Sequence, residues 1–338
     1  MVILTNCLSE SPDEGCLKVA SSLSKRIKKR CPSTTIMSYD RRPAQTDCHL
    51  RLNKLFLNVR LYSILREKKE AVLYIPFSSC SKASILRTFI LSRLSKVPVN
   101  VLFVGMKPIS FPYKQLLRLS KANILCISRE TEEYFLSFVE KKVTYLKTGV
   151  DISRFCPITE KEKRKLREDY GIEQNEKVLM HVGHLNEGRN IRSLMDVDEG
   201  FRVVLVVSTE TRHEWDEDLR AELNKCPNIK IVDNYVEKIE NLYRMSDIYF
   251  FPVVDSGHCI DTPLSVLEAA ACGIPVVTTD YAELKELVDK EGFYRIESFD
   301  KEKINELIYK AYSERKNGRS SVMAYSWDKA VDEILALQ

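Results

Sequence analysis

Short apolar runs alternate with amphipathic stretches from one end of the chain to the other. In the first half, the runs near Val2–Thr5, Thr34–Ser38, Val72–Ile75, Val99–Val104, Asn123–Ile127 and Val143–Leu146 have the length and composition of buried strands. Stretches with helical spacing fall between them, among them Leu17–Arg30 and Leu50–Arg66. The second half repeats the rhythm, with strands predicted near Val178–Val182, Arg202–Val207, Ile229–Val232, Ile248–Phe251, Pro275–Thr278 and Phe293–Ile296. Such alternation predicts parallel α/β units. The rhythm is interrupted between Gly149 and Tyr170 by a polar loop, Pro157 and a highly charged helix, Glu160–Asp169. The pattern therefore predicts two Rossmann-like domains facing one another across a cleft, residues 1–153 and 154–318, with ligands at the carboxyl ends of the strands. Residues 319–338 hold a final amphipathic stretch from Ser326 to Leu337.

The segment from Asp261 to Asp280 joins a helix start to a strand start. Thr262 reads as an N-cap and Pro263 as a first-turn proline, while Gly273 stops the helix and Pro275 leads into a strand. The free N–H groups of Leu264 and Ser265 and the helix dipole would suit a phosphate. Glu268, three residues after Ser265, leans back toward the helix start, where its carboxylate can accept from a ligand's hydroxyls. The competing reading is an ordinary crossover helix with an alanine face packed on a sheet.

Composition narrows the possibilities. The 338 residues suffice for about two domains. A net charge of +4, from 52 basic and 48 acidic residues, is too mild for a nucleic-acid surface. The ten cysteines include no Cys-x-x-Cys pair, and those in apolar surroundings, such as Cys126 and Cys272, read as reduced thiols of a cytoplasmic protein. Neither a metal-ligand cluster nor a paired-carboxylate hydrolase spacing emerges, and no metal or other cofactor is expected. The N-terminal Met-Val-Ile-Leu-Thr run is too short for a signal peptide and reads as a first strand. No apolar run reaches the roughly 18–20 residues of a membrane span, so any membrane contact would be peripheral. The basic run Lys25–Arg30, at a helix carboxyl end, is either a solvated complement to the helix dipole or an attraction to anionic lipid on the inner membrane face.

Four motifs, in order, resemble the family 4 (group 1) glycosyltransferases, whose fold is the two-domain GT-B type. They are Gly149-Val-Asp-Ile-Ser-Arg-Phe-Cys-Pro157, His181-Val-Gly-His-Leu-Asn-Glu-Gly-Arg-Asn190, Ile239 to Pro252, and the Glu268-Ala-Ala-Ala-Cys-Gly-Ile-Pro-Val-Val segment. The resemblance implies a retaining, metal-independent hexosyltransferase that takes a nucleotide-diphosphate sugar as donor and a glycan, lipid or small-molecule hydroxyl as acceptor. It also implies that the tail crosses back onto the first domain. By the same resemblance, Glu268 contacts the nucleotide's ribose. His184 stands at the family's arginine position, and Arg189 lies beside its lysine position, which Asn190 occupies. Gly183, His184, Arg189, Thr262, Pro263, Leu264 and Ser265 would line the donor site. A guanidinium can clamp phosphate oxygens, and an imidazole can donate to them.

The chain departs from the family pattern in places. The family's first glutamate aligns with Ile260, and Asp261, one position on, would either take over contact with the transferred sugar or serve a structural, helix-capping role. In the first domain, Gly15 is a single glycine where the family has two; it would let backbone N–H groups approach a phosphate or acceptor. Lys107 stands near the place of a family histidine. These departures open a second expectation, a sugar- or nucleotide-binding scaffold without transfer activity. A third, a nucleotide-sugar epimerase, lacks an identifiable acid/base set.

Overall fold

The apolar runs become the strands of two parallel sheets. The computed structural model describes residues 1–39, 45–140, 142–210, 212, 215–255 and 259–337. Strands β1 (Val2–Thr5), β2 (Thr35–Tyr39), β3 (Cys48–Leu50), β4 (Val72–Ile75), β5 (Val99–Phe103), β6 (Asn123–Cys126) and β7 (Val143–Tyr145) form the first sheet, in the order β3-β2-β1-β4-β5-β6-β7. Strands β8 (Lys177–Gly183), β9 (Phe201–Val207), β10 (Ile229–Val232), β11 (Ile248–Phe251), β12 (Val276–Thr278) and β13 (Phe293–Arg295) form the second, in the order β10-β9-β8-β11-β12-β13. Every residue of β1, β4, β5 and β11 is buried, as a parallel sheet covered on both faces requires. Both sheets have the Rossmann-like order, which reverses beside the first strand. The fold is thus α/β with two Rossmann-like domains.

The chain separates into one unit of Met1–Thr148, Ile260–Thr262 and Trp327–Gln338, and a second of Gly149–Cys259 and Pro263–Ser326. Packing explains why residues 149–153, placed in the first domain by the sequence pattern, join the second unit. Val150 N–H donates to Tyr325 O at 2.8 Å, Asp151 Oδ1 accepts from Ser153 and Arg154 N–H, and the Phe155 ring meets Tyr243 edge-on at 5.9 Å. In the same unit, Arg167 anchors the charged helix Glu160–Asp169. It donates to Asp247 Oδ2 at 2.7 Å, and that oxygen also accepts from Val178 N–H, at the base of β8. Within the first unit, the helix Trp327–Leu335 buries Trp327, Ala330, Val331 and Ile334, and Arg30 at the end of the helix Gly15–Arg30 pairs with Asp328 and Asp332.

One stretch differs from its sequence reading. The helix expected over Leu50–Arg66 spans Val59–Lys68, with β3 and a loop before it. Local side-chain bonds compete with helix here. Asn53 Oδ1 accepts from Leu55 and Leu57 N–H, Phe56 takes a left-handed φ of 58°, and Asn58 caps the helix by accepting from Leu61 N–H at 3.0 Å.

Among the described residues, no helix is long and apolar enough to cross a membrane.

Candidate functional site

Strands β8 and β11 are parallel neighbours, and the order of the second sheet reverses between them. Segments leaving their carboxyl ends flank the place where such sheets open a crevice for ligands. The motifs containing Gly183, Arg189 and Glu268 are these segments.

Gly183 ends β8. A Cβ there would stand 2.8 Å from His181 Nε2 and 3.2 Å from Arg189 Nη1, so the position needs glycine because two side chains fold over it. Arg189 closes a short turn, Glu187–Arg189, that ends at Asn190 in the left-handed region (φ 53°). The Asn190 amide donates to Pro252 O at 3.3 Å, tying this turn to the exit of β11. Arg189 is 7% exposed, and its Nε–H has no acceptor among the described residues. His184 is half-buried, two residues before Asn186, whose N–H donates to its carbonyl.

His181 is fully buried. Its Nδ1 lies 2.8 Å from Phe250 O, and since a carbonyl only accepts, Nδ1 carries the proton. Nε2 is left as a buried lone pair with no donor among the described residues. Burial pushes the imidazole pKa down to about 4, with the neighbouring Arg189 charge acting in the same direction and the Phe250 carbonyl opposing. The ring stacks between Tyr249 and Phe251, at 6.3 and 6.2 Å.

Tyr249 links the two segments. Its hydroxyl lies 3.4 Å from both Val182 N and Val182 O and hydrogen-bonds the Ser265 side chain; burial raises the phenol far above its usual range. Ser265 lies on the helix Leu264–Ala271, and here the structure corrects the sequence reading. The N-cap is Pro263, not Thr262, and Pro263 O accepts from Val266 N–H at 3.1 Å. The Thr262 hydroxyl donates instead to Ile127 O in the first unit, a tertiary bond that overrides the local capping preference. The N–H groups of Leu264 and Ser265 have no acceptor among the described residues. Glu268 is 5% exposed, and its Oε2 accepts from Tyr243 OH at 3.0 Å. Burial first, and then the Glu268 charge, raise the Tyr243 phenol. The helix ends at Gly273 with φ 84°.

The remaining candidates cluster in the first unit. Asp261 is buried; Oδ1 accepts from Met106 N–H at 2.9 Å and Oδ2 from the Thr131 hydroxyl. It caps no helix at Leu264, and its N–H donates to Val104 O at 2.9 Å. Burial pushes its carboxyl up to about 6, against the opposing bonds from Thr131 and Met106. Gly15 opens the first helix, and a Cβ there would stand 2.7 Å from Ile260 Cδ1, so this glycine admits an apolar side chain. Lys107 is exposed, and its backbone N–H bonds the buried Cys80 thiol. In the basic run, Lys28 pairs with Asp47 and Arg30 with two aspartates, while Lys25 and Lys29 are exposed.

The structure thus gathers Gly183, Arg189, Ser265 and Glu268 at one switch point and adds His181, Tyr243 and Tyr249, which the sequence reading did not single out. The signal for His181 was a polar residue alternating with Leu179 and Gly183 in an otherwise apolar strand. Among the described residues, no group of three or more His, Cys, Asp or Glu side chains is placed to hold a metal.

Residues 176–314 match the family model described as glycosyl transferases, group 1. The alpha-galactosylglucosyldiacylglycerol synthase of Streptococcus pneumoniae is 24% identical over 162 residues, covering 46% of this chain and 42% of that protein. The matches span about half the length of the curated relatives. Solved structures agree in fold along nearly the whole chain. A glycosyltransferase from Rickettsia africae superposes with a TM-score of 0.80 at 14% identity, covering 99% of this chain and 97% of that one. Anabaena Alr3699/HepE in complex with UDP-glucose gives 0.76 at 13% identity, covering 100% and 99%.

Proposed function

We propose that this chain, which resembles the group 1 glycosyltransferases in sequence and fold, moves a hexosyl group from a nucleotide-diphosphate sugar to an acceptor hydroxyl with retention. The observation that carries the proposal is the convergence of Arg189, the Leu264 and Ser265 amides and Glu268 at the β8/β11 switch point. In this reading the two amides and the Arg189 guanidinium take the diphosphate, with His184 as a further donor and Gly183 and Pro263 shaping the walls. Tyr243 orients Glu268 toward the ribose hydroxyls. As the sugar departs, negative charge grows on the diphosphate, and fixed donors in a buried site lower that barrier. They fill the electrostatic role of a metal, so the proposed transfer uses none. UDP-glucose, bound by the Anabaena structure, is the first donor to try. The acceptor would be a glycan, lipid or small-molecule hydroxyl, with Gly15 and Lys107 the first unit's candidates for meeting it.

Calorimetry with UDP-glucose and related donors tests this. Glu268→Gln keeps the shape but removes the charged acceptor, and is expected to weaken donor binding roughly 10- to 100-fold, the worth of one or two charged hydrogen bonds. Wild-type affinity in that variant would refute the site.

A binding protein without transfer is the second reading. Ile260 stands at the family's first glutamate position and packs on Gly15, while Asp261 beside it is held by Met106 and Thr131. Release of nucleotide from a bound donor, with any acceptor, separates the two.

A further inference from the structure

The loop before the helix Val59–Lys68 holds apolar side chains out of the core by construction. Leu55, Leu57 and Val59 are 39%, 53% and 88% exposed. Phe56, between the two leucines, is fully buried and meets Tyr39 and Tyr74 edge-on at 4.9 and 5.5 Å. Asn53 Nδ2 donates to Leu57 O, Asn58 Nδ2 donates to Arg51 O, and Arg87 donates to Lys54 O while lying 5.0 Å over the Phe56 ring. The loop is therefore fixed rather than loose, and fixed with its apolar side chains in water. Phe77, 40% exposed, follows β4 at the same carboxyl end of the sheet. Charge completes the pattern. From Cys48 to Arg66 the chain carries Arg51, Lys54, Arg60 and Arg66 and no acid.

We propose that the loop of residues 51–60 docks the protein on an anionic lipid surface, its leucines and valine entering the interface and its cations meeting the headgroups. Rigid apolar side chains interleaved with cations are what such an interface selects, because burial and attraction to anionic lipid act together. The Lys25–Arg30 run suits the role less well, since Lys28 and Arg30 already pair with aspartates. The inference does not depend on the transfer reading, because docking needs no nucleotide-sugar.

Flotation of the full chain with phosphatidylcholine vesicles, with and without phosphatidylglycerol, tests it. The wild type is expected to float with the phosphatidylglycerol vesicles alone, and less so as salt rises. Leu55→Ser/Leu57→Ser/Val59→Ser and, separately, Arg51→Gln/Lys54→Gln/Arg60→Gln should each cut partitioning roughly tenfold or more, with melting temperatures unchanged. Lys25→Gln/Lys29→Gln should float like the wild type. A wild type that ignores phosphatidylglycerol vesicles overturns the proposal, as does either triple variant partitioning normally. Failure to float, with a concentration-dependent dimer that the apolar triple variant abolishes, also overturns it and gives this surface to a second copy of the chain.

Discussion

The two sheets reverse their strand order at equivalent places, yet the two switch points are filled differently. After β1, Gly15 makes room for Ile260, an apolar side chain. After β8, Gly183 makes room for two buried nitrogen-bearing side chains, His181 and Arg189, each with a ring or guanidinium nitrogen that no described residue satisfies. Folded proteins rarely leave buried polar groups unmatched. The contrast teaches that the same topology can be closed with hydrocarbon or with polar side chains whose hydrogen-bonding capacity stays open, and that the second switch point is the one so left. Buried charge sharpens the contrast most. Arg167, whose fork serves Asp247 and three carbonyls in the second unit, should be the costliest residue to remove. Arg167→Leu is expected to lose about 2–4 kcal/mol, because three carbonyls and Asp247 Oδ2 lose their donor while Lys163 still pairs with Asp247 Oδ1. Denaturant unfolding measures it, and a loss under about 1 kcal/mol would place this pair with ordinary surface pairs.

The next effects come from one buried titratable group in each unit, and their signs oppose. The His181 pKa falls from 6.5 to about 4 on folding. Its contribution is therefore complete above pH 6.5 and is lost as pH falls through about 4, in all about 3 kcal/mol. The Asp261 pKa rises from 3.8 to about 6. Its contribution is complete below pH 3.8 and is lost as pH rises through about 6, again about 3 kcal/mol. Between those values the two groups offset one another, and each single variant uncovers the slope of the other. Relative to wild type, His181→Phe should lose ground as pH rises from 4 toward 6.5, and Asp261→Asn should gain ground from 4 to above 6. Calorimetric melting across that range measures both, and variant-minus-wild-type differences that stay flat would mean the two groups are not buried as described.

How much of this was legible in the sequence depends on whether the deciding partner is local. Strands such as Val72–Ile75 and Ile248–Phe251 were readable because burial on both faces writes itself as a continuous apolar run. The loop of residues 51–58 was not, because Asn53 and Asn58 bind nearby backbone in a way that periodicity does not record. Thr262 carries a cap's chemistry, yet its hydroxyl goes to Ile127, 135 positions away. Gly183, Arg189 and Glu268 could be picked out because their spacing is fixed within short motifs. His181 showed only as a polar residue in an apolar run, and its tautomer, set by Phe250 on a neighbouring strand, was not readable.

Arg189 sharpens the comparison on the binding side. Arg189→Lys keeps the charge and loses the fork, so donor affinity should fall roughly tenfold, about 1.4 kcal/mol. Gly15→Ala, at the apolar switch point, should leave donor affinity unchanged while Ile260 shifts to admit the methyl group. Calorimetry with the same donor reads both. Equal losses in the two variants would erase the distinction between the switch points.

The smallest effect is expected at the first unit's own arginine pairs, those of Arg30 with Asp328 and Asp332. Both aspartates are 66% exposed, so the attraction is screened and the long arginine chain loses entropy in making it. Arg30→Gln should cost less than about 1 kcal/mol, and less still in high salt. The helix Trp327–Leu335 should stay docked in that variant, because its hold is the buried face of Trp327, Ala330, Val331 and Ile334. Hydrogen exchange along residues 327–335 reads this directly. Protection retained in Arg30→Gln and lost in Val331→Ser would show that hydrocarbon packing, rather than the ion pairs, fixes the tail to the first unit.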